Sequence, residues 1–325
     1  MREIKKNVLG RTDFAVSEIG LGAWGVGSKG YGPVDKEQGV RTIEMYLEAG
    51  GNFIDTAPAY GGSEALLGEV IGSGPLRERV FLCTKTKMGD SLETVPKIKL
   101  ACEGSLRLLK SEYIDVYYLH TPPEDPDTIN RALDELANLK RDGKIRAVAA
   151  SIKAAAVTSK TVDLCHTYID TGKVDVIQVA YSFLRQANAE VFEKAYEKNV
   201  GIVTRSAIES GFLSGKYRPG HIFPDDHRMR WSKETLWKIF SLVDEVSPWA
   251  VRLPYQSPAE VAIRFSMAPK GVSSLLVGAK NPEQLEKNLN TLSLPPLDQE
   301  IIDLLKEKFA GRTEEFNPDR QGWAH

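Results

Sequence analysis

Four side chains that can transfer or steer protons fall at the ends of successive apolar runs. Asp55 and Tyr60 follow one run, Lys85 ends the next, and His120 ends the one after it. A carboxylate, a phenol, an ammonium group and an imidazole are common groups of acid–base catalysis. Because side chains at strand ends can converge, these positions predict one pocket in which protons are transferred.

The pairing of a tyrosine with a lysine has a specific chemical reason. Free tyrosine titrates near 10, so it donates a proton poorly at neutral pH unless a nearby cation stabilises its phenolate. Lys85 can supply that cation, Asp55 can orient the ammonium group, and His120 can position a substrate oxygen. Each residue alone also fits an ordinary role at a loop or strand end, but four on successive strands favour a catalytic site.

Composition limits the possible functions of the 325 residues, which are 42% hydrophobic and 26% charged, as in an ordinary globular protein. The formal net charge of −2 gives no overall attraction to nucleic acid or to an anionic membrane. The sequence contains no run of about 18 apolar residues, so no membrane span is predicted. Residues 1–6 are not followed by the apolar segment of a secretory signal. Three separated cysteines, Cys83, Cys102 and Cys165, predict buried free thiols and a cytoplasmic protein.

The elements that must position the proposed site alternate between short apolar runs and longer segments of helical period. The predicted strands are residues 19–24, 53–57, 80–85, 114–120, 145–151, 174–180, 201–206 and 273–279. Several are apolar throughout, as is typical of parallel strands buried on both faces. This alternation predicts a (β/α)₈ TIM barrel that occupies residues 1–325 as a single domain.

Two segments depart from the strand–helix repeat. Residues 5–16 contain two short runs around Gly10-Arg11-Thr12-Asp13, which predicts an N-terminal β-hairpin that closes the bottom of the barrel. Residues 207–272, between the seventh and eighth barrel strands, are too many for one crossover helix, and we expect this long loop to act as a lid.

The stretch Gly20-Leu21-Gly22-Ala23-Trp24-Gly25 matches the dinucleotide-binding pattern G-x-G-x-x-G. That pattern requires its third glycine to open a helix and an acidic residue about 20 positions further on. Here the first helix is expected near Asp35, and the next strand-end acid, Asp55, is too distant. We therefore interpret the stretch as a glycine-rich loop at the mouth of the barrel.

Ordered motifs extend along nearly the whole chain, at residues 9–12, 20–22, 55–61, 115–120, 178, 211–217 and 277–288. With these motifs the chain resembles the aldo-keto reductases. The resemblance implies a barrel that binds NAD(P)H across its mouth and transfers hydride to an aldehyde or ketone, or from an alcohol. It assigns Tyr60 as the general acid, Lys85 and Asp55 as the pair that tunes it, and His120 as the residue that orients the substrate.

The same resemblance implies a set of cofactor contacts. Ser151 and Gln178 match positions that hold the nicotinamide carboxamide, although Ile152 stands where the family often has asparagine. Arg205 stands where many members place an aromatic residue, and a planar guanidinium can also stack on a ring. Further contacts are expected from the glycine-rich loop, from Asp55, and from the loop that folds over the pyrophosphate: Gly22, Trp24, Ser206, Ala207, Ile208, Gly211, Leu213 and Lys216.

Lys280, Gln284 and Asn288 follow Gly278 with the spacing of one helix face. A helix N-terminus favours an anion, and Lys280 adds charge for a 2′-phosphate at the adenosine end of the cofactor. NADPH is therefore the expected cofactor, with NADH possible.

Two other functions fit parts of the pattern. One is a Schiff-base aldolase on the same barrel with Lys85 as the nucleophile, and the other is a non-catalytic, cofactor-sensing subunit. His221 and His227 bracket Asp225 and Asp226, but their spacing fits no common zinc site, so we expect a surface loop without a metal. Three tryptophans, Trp24, Trp231 and Trp237, fit the apolar walls of a substrate pocket, and each fits core packing equally well.

Overall fold

The described part of the chain begins with an antiparallel pair of short strands. In the computed structural model, which describes residues 3–27, 30–32, 35–88, 91–152, 156–223, 226–250 and 254–320, β1 (Lys6–Val8) pairs with β2 (Ala15–Ser17). Gly10, in the turn between them, has a φ of 55° and lies close to Gly201. A Cβ on Gly10 would lie 2.1 Å from the backbone nitrogen of Gly201. The predicted hairpin is confirmed, and only glycine fits at its turn.

Eight parallel strands close into a barrel among the described residues. They are β3 (Ile19–Gly22), β4 (Phe53–Asp55), β5 (Phe81–Lys87), β6 (Ile114–His120), β7 (Ile145–Ser151), β8 (Val176–Ala180), β9 (Gly201–Arg205) and β10 (Val272–Gly278). Each pairs with the next in chain order, and β10 pairs with β3, which closes the ring. The predicted barrel is confirmed, whereas its extent as one domain over residues 1–325 stays a prediction.

Helices cover the outside of the barrel or extend its loops. They are α1 (Trp24–Gly27), α2 (Lys36–Glu48), α3 (Ser63–Val70), α4 (Pro75–Glu78), α5 (Lys97–Leu109), α6 (Pro126–Arg141), α7 (Ser159–Asp170), α8 (Phe192–Glu197), α9 (Lys233–Ala250), α10 (Pro258–Met267), α11 (Pro282–Asn290) and α12 (Gln299–Phe309). Asp35 caps α2, since its side chain accepts from the backbone N–H of Gln38. The single turn α1 precedes it, so the expectation that the first helix starts near Asp35 was wrong.

The interior of the barrel is a cluster of inward-facing side chains two residues apart along each strand. Leu9, Phe14 and Val16 of the hairpin region belong to this cluster, together with Phe53, Cys83, Val116, Tyr118, Ala147, Ala149, Val176, Val203 and Leu276. The hairpin therefore packs into the end at which the strands begin. The opposite end, where the strands finish, is the mouth of the barrel.

The period of two residues along each strand explains why polar side chains gather at the mouth. Asp55, Lys85 and His120 each lie two residues after an inward-facing member of the interior cluster, and so do Ser151, Gln178, Arg205 and Gly278. These side chains consequently form the uppermost part of the barrel interior.

The long segment between β9 and β10 contains α9 and α10 instead of one crossover helix, as its length predicts. The 226–231 segment before α9 packs against the loop after β3, because the backbone amide of His227 donates to the carbonyl of Gly30. None of the helices in the described ranges has the length and apolar character needed to cross a bilayer. The three cysteines are free and buried, as expected.

Candidate active site

Lys85 and Asp55 form a buried ion pair at the mouth of the barrel. The Lys85 Nζ donates to Asp55 Oδ2 at 2.5 Å and to the carbonyl of Thr56 at 2.8 Å. Lys85 is 0% exposed and Asp55 is 2% exposed, so neither charge is screened by water. Their positions on adjacent strands β4 and β5 hold this cation in a fixed place.

Tyr60 lies in a short 3₁₀ turn, Pro58–Tyr60, that follows β4. Its ring centroid is 5.0 Å from the Lys85 Nζ, and the ring of His120 meets it edge-on at 6.3 Å. The structure therefore brings together the four side chains that the sequence analysis selected.

Two tyrosines flank the Lys85 ammonium group, and their exposure distinguishes them. Tyr118 lies beneath it, with the Nζ 5.5 Å from its ring centroid, and is fully buried. Burial raises the pKa of Tyr118 well above its usual value, so this phenol stays protonated inside the barrel. Tyr60, in contrast, is partly exposed.

A hydrogen-bonded chain extends from the ion pair across the mouth. Ser151 Oγ donates to Gln178 Oε1 at 2.9 Å, and Gln178 Nε2 donates to Asp55 Oδ1 at 2.8 Å. The two residues predicted to hold a carboxamide are thus adjacent and share a network with the predicted catalytic acid–base groups.

Arg205 joins this network from the end of β9. Its Nε donates to Gln178 Oε1 at 3.0 Å and its Nη2 donates to the carbonyl of Ile152 at 2.6 Å. Arg205 and Ile152 are the two departures from the family pattern, and they are in direct contact. Burial lowers the pKa of Arg205, an effect opposed by the nearby Tyr60 and Asp55.

The loop after β9 has an unusual backbone. Ser206, Glu209 and Ser210 have positive φ angles of 65°, 45° and 56°. Such conformations persist where tertiary contacts enforce them, and here Arg185 binds Glu209 with an Nη2–Oε2 distance of 2.6 Å while Ser182 also donates to that carboxylate. The remaining predicted residues of this loop differ in exposure: Ala207 and Leu213 are buried, Ile208 and Gly211 are partly exposed, and Lys216 is exposed.

The predicted adenosine-end residues surround the start of α11. Lys280 Nζ donates to the carbonyl of Tyr31 at 2.7 Å, and its backbone amide donates to Gln284 Oε1 at 3.1 Å. Asn288 Nδ2 donates to the carbonyl of Gly278 at 3.2 Å. Gln284 and Asn288 therefore stabilise the β10–α11 turn, whereas the Lys280 ammonium group reaches towards the loop after β3.

Two glycines keep space open beside this turn. A Cβ placed on Gly278 would meet no heavy atom within 4 Å, and one on Gly22 would touch only the Val277–Gly278 backbone, at 3.5 Å or more. The mouth therefore has room along the edge formed by β3 and β10, next to Lys280.

His227 connects the 226–231 segment to two other loops, a role that the sequence analysis missed. Its Nδ1 lies 3.0 Å from the carbonyl of Gly30 and its Nε2 lies 3.1 Å from Ser210 Oγ. The ring meets Trp24 and Tyr31 edge-on at 4.6 Å and 4.4 Å. Burial lowers the pKa of His227 to about 4, so the ring is neutral at neutral pH.

The expectation of a surface loop around His227 was wrong. Asp226, His227 and Arg228 are buried, and Asp226 accepts from the Arg228 guanidinium at 2.5 Å. Asp225 lies outside the described residues. Among those that are described, no group of three or more histidines, cysteines or acids could hold a metal ion.

The three tryptophans have different environments. Trp24 lies at the mouth, with its ring centroid 6.2 Å from that of Tyr60. Trp231 is buried and donates from Nε1 to the carbonyl of Phe316, which fixes the C-terminal segment. Trp237 is 58% exposed on α9, so it is not part of the core, and its place in the pocket stays a prediction.

Comparisons with known proteins agree with this geometry. The sequence model of the Aldo/keto reductase family matches residues 18–310. The chain is 29% identical over 318 residues to the NADH-specific methylglyoxal reductase of Escherichia coli K12, covering 90% of this chain and 94% of that protein. It is 28% identical over 312 residues to the aldo-keto reductase YhdN of Bacillus subtilis, covering 91% and 92% respectively.

Solved structures are similar over the full barrel. The holo form of aldo-keto reductase AKR11C1 from Bacillus halodurans superposes with a TM-score of 0.75 at 26% identity, covering 96% of this chain and 100% of that one. The glycerol dehydrogenase AKR11B4 from Gluconobacter oxydans superposes with a TM-score of 0.76 at 26% identity, covering 99% of each chain.

Proposed function

The chain belongs to the aldo/keto reductase family and is a nicotinamide-dependent oxidoreductase of carbonyl compounds, and from this premise we propose that Tyr60 is its proton donor. The observation that carries the proposal is the buried Lys85–Asp55 pair, whose ammonium group lies 5.0 Å from the partly exposed Tyr60 ring. A fixed cation at that distance stabilises a phenolate and so makes proton release easier.

The roles that we propose for the four side chains follow from their positions. A bound nicotinamide cofactor would supply the hydride for the carbonyl carbon. Tyr60 donates its phenolic proton to the carbonyl oxygen, so that one hydride and one proton convert the carbonyl to an alcohol. His120, edge-on to Tyr60, orients that oxygen, and Lys85 stabilises the phenolate until water reprotonates it.

The residues at the mouth support binding of a nicotinamide cofactor. Ser151 and Gln178 supply a hydroxyl and an amide for the carboxamide, next to Asp55. Gly22 and Gly278 leave open space along the β3–β10 edge, and the predicted residues of the loop after β9 provide its other side. Lys216 and Lys280 supply positive charge for phosphates.

We propose NADPH as the preferred cofactor because of Lys280. Its ammonium group donates to the neutral carbonyl of Tyr31 and makes no ion pair within the described ranges, so its charge is available to a 2′-phosphate. The E. coli relative is named as NADH-specific, and at 29% identity its preference does not decide that of this chain.

Replacing Lys280 by alanine tests this preference. A charge-assisted bond contributes about 1.5–3 kcal/mol, so NADPH affinity should fall about ten- to a hundredfold while NADH affinity changes little. Lys287→Ala is the matched control, since it removes an exposed cation of the same helix that pairs with Glu283 at 2.6 Å. Equal losses for NADPH and NADH in fluorescence titrations would contradict the 2′-phosphate role.

The substrates proposed are small aldehydes and ketones, or the corresponding alcohols. Methylglyoxal and glycerol belong in the first panel, because one relative is named as a methylglyoxal reductase and one structural neighbour as a glycerol dehydrogenase. The test is substrate-dependent consumption of NADPH or NADH with aldehydes, ketones and sugars, and substrate-dependent reduction of NADP⁺ or NAD⁺ with glycerol. If cofactor binds but no carbonyl compound oxidises it, a cofactor-sensing role replaces the proposal.

The aldolase alternative is less compatible with the structure. A Schiff-base nucleophile must be a free amine, whereas Lys85 is fully buried in an ion pair with Asp55. Borohydride trapping of a carbonyl substrate on Lys85 would favour the aldolase.

A further inference from the structure

The guanidinium group of Arg205 lies at the mouth of the barrel and donates to neutral hydrogen-bond acceptors. Among the described residues, the Arg205 side chain donates to Gln178 Oε1 at 3.0 Å and to the carbonyl of Ile152 at 2.6 Å. Its own carbonyl accepts from the Tyr181 amide at 3.0 Å, which anchors the end of β9. The guanidinium group is therefore fixed in position, and it remains protonated under ordinary conditions.

The nearby carboxylates are already bound to other cations. Asp55 pairs with Lys85 at 2.5 Å, and its second oxygen accepts from Gln178. Glu209 pairs with Arg185 at 2.6 Å. In the part of the chain that the structure describes, no carboxylate forms an ion pair with Arg205, so its positive charge acts on whatever lies beside it.

The position of this charge matters because of Gln178. The inference rests on the proposed function, in which Gln178 holds the nicotinamide carboxamide. A group within 3.0 Å of that amide oxygen lies next to the nicotinamide itself. The reduced nicotinamide ring is neutral and the oxidised ring carries one positive charge, so a fixed cation repels only the oxidised form.

We propose that Arg205 selects the redox state of the cofactor, so that the protein binds reduced nicotinamide cofactor more tightly than the oxidised form. Binding of NADPH and release of NADP⁺ are both favoured, and the bound NADPH is a correspondingly weaker reductant. An aromatic residue at this position would contact both redox forms without adding a charge. The backbone carbonyl of residue 152, which any side chain at that position would leave in place, accepts the second guanidinium hydrogen bond.

The measurable quantity is the ratio of the dissociation constants of NADP⁺ and NADPH. Like charges a few ångströms apart in a partly buried site should contribute on the order of tenfold to this ratio. For a two-electron couple, a tenfold ratio equals a shift of about 30 mV in the potential of the bound cofactor.

The experiment measures both dissociation constants by calorimetry without substrate, for the full wild-type chain and for Arg205→Met, Arg205→Gln and Arg205→Lys. The ratio should fall about tenfold in the Met and Gln variants and persist largely in the Lys variant, which keeps the charge. Lys280→Ala is the control, because NADPH and NADP⁺ carry the same 2′-phosphate. It should weaken both and leave the ratio unchanged.

Two results would overturn the proposal in distinguishable ways. A ratio that is the same in wild type, Arg205→Gln and Arg205→Lys overturns the role of Arg205 alone. A wild-type protein that binds neither redox form overturns the proposed function and this inference with it. If Arg205→Met does not fold, as circular dichroism would reveal, the Gln and Lys variants still decide the question.

Discussion

Replacing Lys85 by methionine separates the role of its charge from the role of its shape. Methionine keeps much of the apolar stem but removes the ammonium group, which is fully buried and binds Asp55 and the carbonyl of Thr56. The Asp55 carboxylate would then be buried without a cation. Breaking a buried ion pair in this way costs about 3–5 kcal/mol of stability.

The effect on catalysis follows from the distance between Lys85 and Tyr60. The Nζ lies 5.0 Å from the centroid of the phenol ring. At an effective dielectric constant of about 20, a charge at that distance contributes about 3 kcal/mol to the phenolate, or about a hundredfold in rate. Lys85→Met should therefore lose both stability and kcat.

A second substitution distinguishes the two losses. In the double variant Lys85→Met with Asp55→Asn, the uncompensated carboxylate is gone, so most of the lost stability should return while kcat stays low. The assay combines urea unfolding, cofactor titration and kcat for the wild type, both single variants and the double variant. A double variant that regains activity together with stability, or a Lys85→Met variant with wild-type kcat, would show that the Lys85 charge does not assist proton transfer.

Two further predictions concern the fold around the site. Burial lowers the pKa of His227 to about 4 in the folded protein, whereas the pKa of a histidine in the unfolded chain is about 6.5. Between these two pH values the unfolded chain therefore binds a proton that the folded protein does not bind. Acidification through this window should therefore cost up to about 3 kcal/mol, and His227→Gln should flatten the dependence in unfolding measured at about pH 7 and about pH 4.5. Gly68→Ala should destabilise by about 1–3 kcal/mol, because its Cβ would lie 2.1 Å from the carbonyl oxygen of Leu108. The matched change Gly104→Ala, whose Cβ meets nothing closer than 3.8 Å, should be neutral or stabilising by chemical denaturation.

The barrel could be predicted because the parallel strands are continuous apolar runs. The predicted strands 114–120 and 145–151 agree with β6 and β7 at both ends. The strand predicted at 53–57 ends early, since the turn at Pro58–Tyr60 follows Asp55, and the one predicted at 19–24 ends at Gly22, since Trp24 begins α1. Strand ends are thus decided by local turns that apolar patterning does not report.

The positions of the site residues could be predicted where those residues lie at the ends of strands. Asp55, Lys85 and Gln178 share the inward-facing period of the barrel, so their convergence follows from the fold. His227 did not follow, because its contact with Gly30 joins positions 197 residues apart in the chain. The exposure of Trp237 could not be predicted from the sequence either, since it depends on which face of α9 packs against the barrel.

Single-turnover reduction of a carbonyl substrate by Tyr60→Phe tests whether Tyr60 delivers the proton. Phenylalanine keeps the ring beside His120 and Lys85 but removes the phenolic O–H. Reduction should slow by about 10²–10⁴-fold while the dissociation constant of NADPH stays within about twofold of wild type. A Tyr60→Phe variant that keeps more than about a tenth of the wild-type rate would show that another group donates the proton.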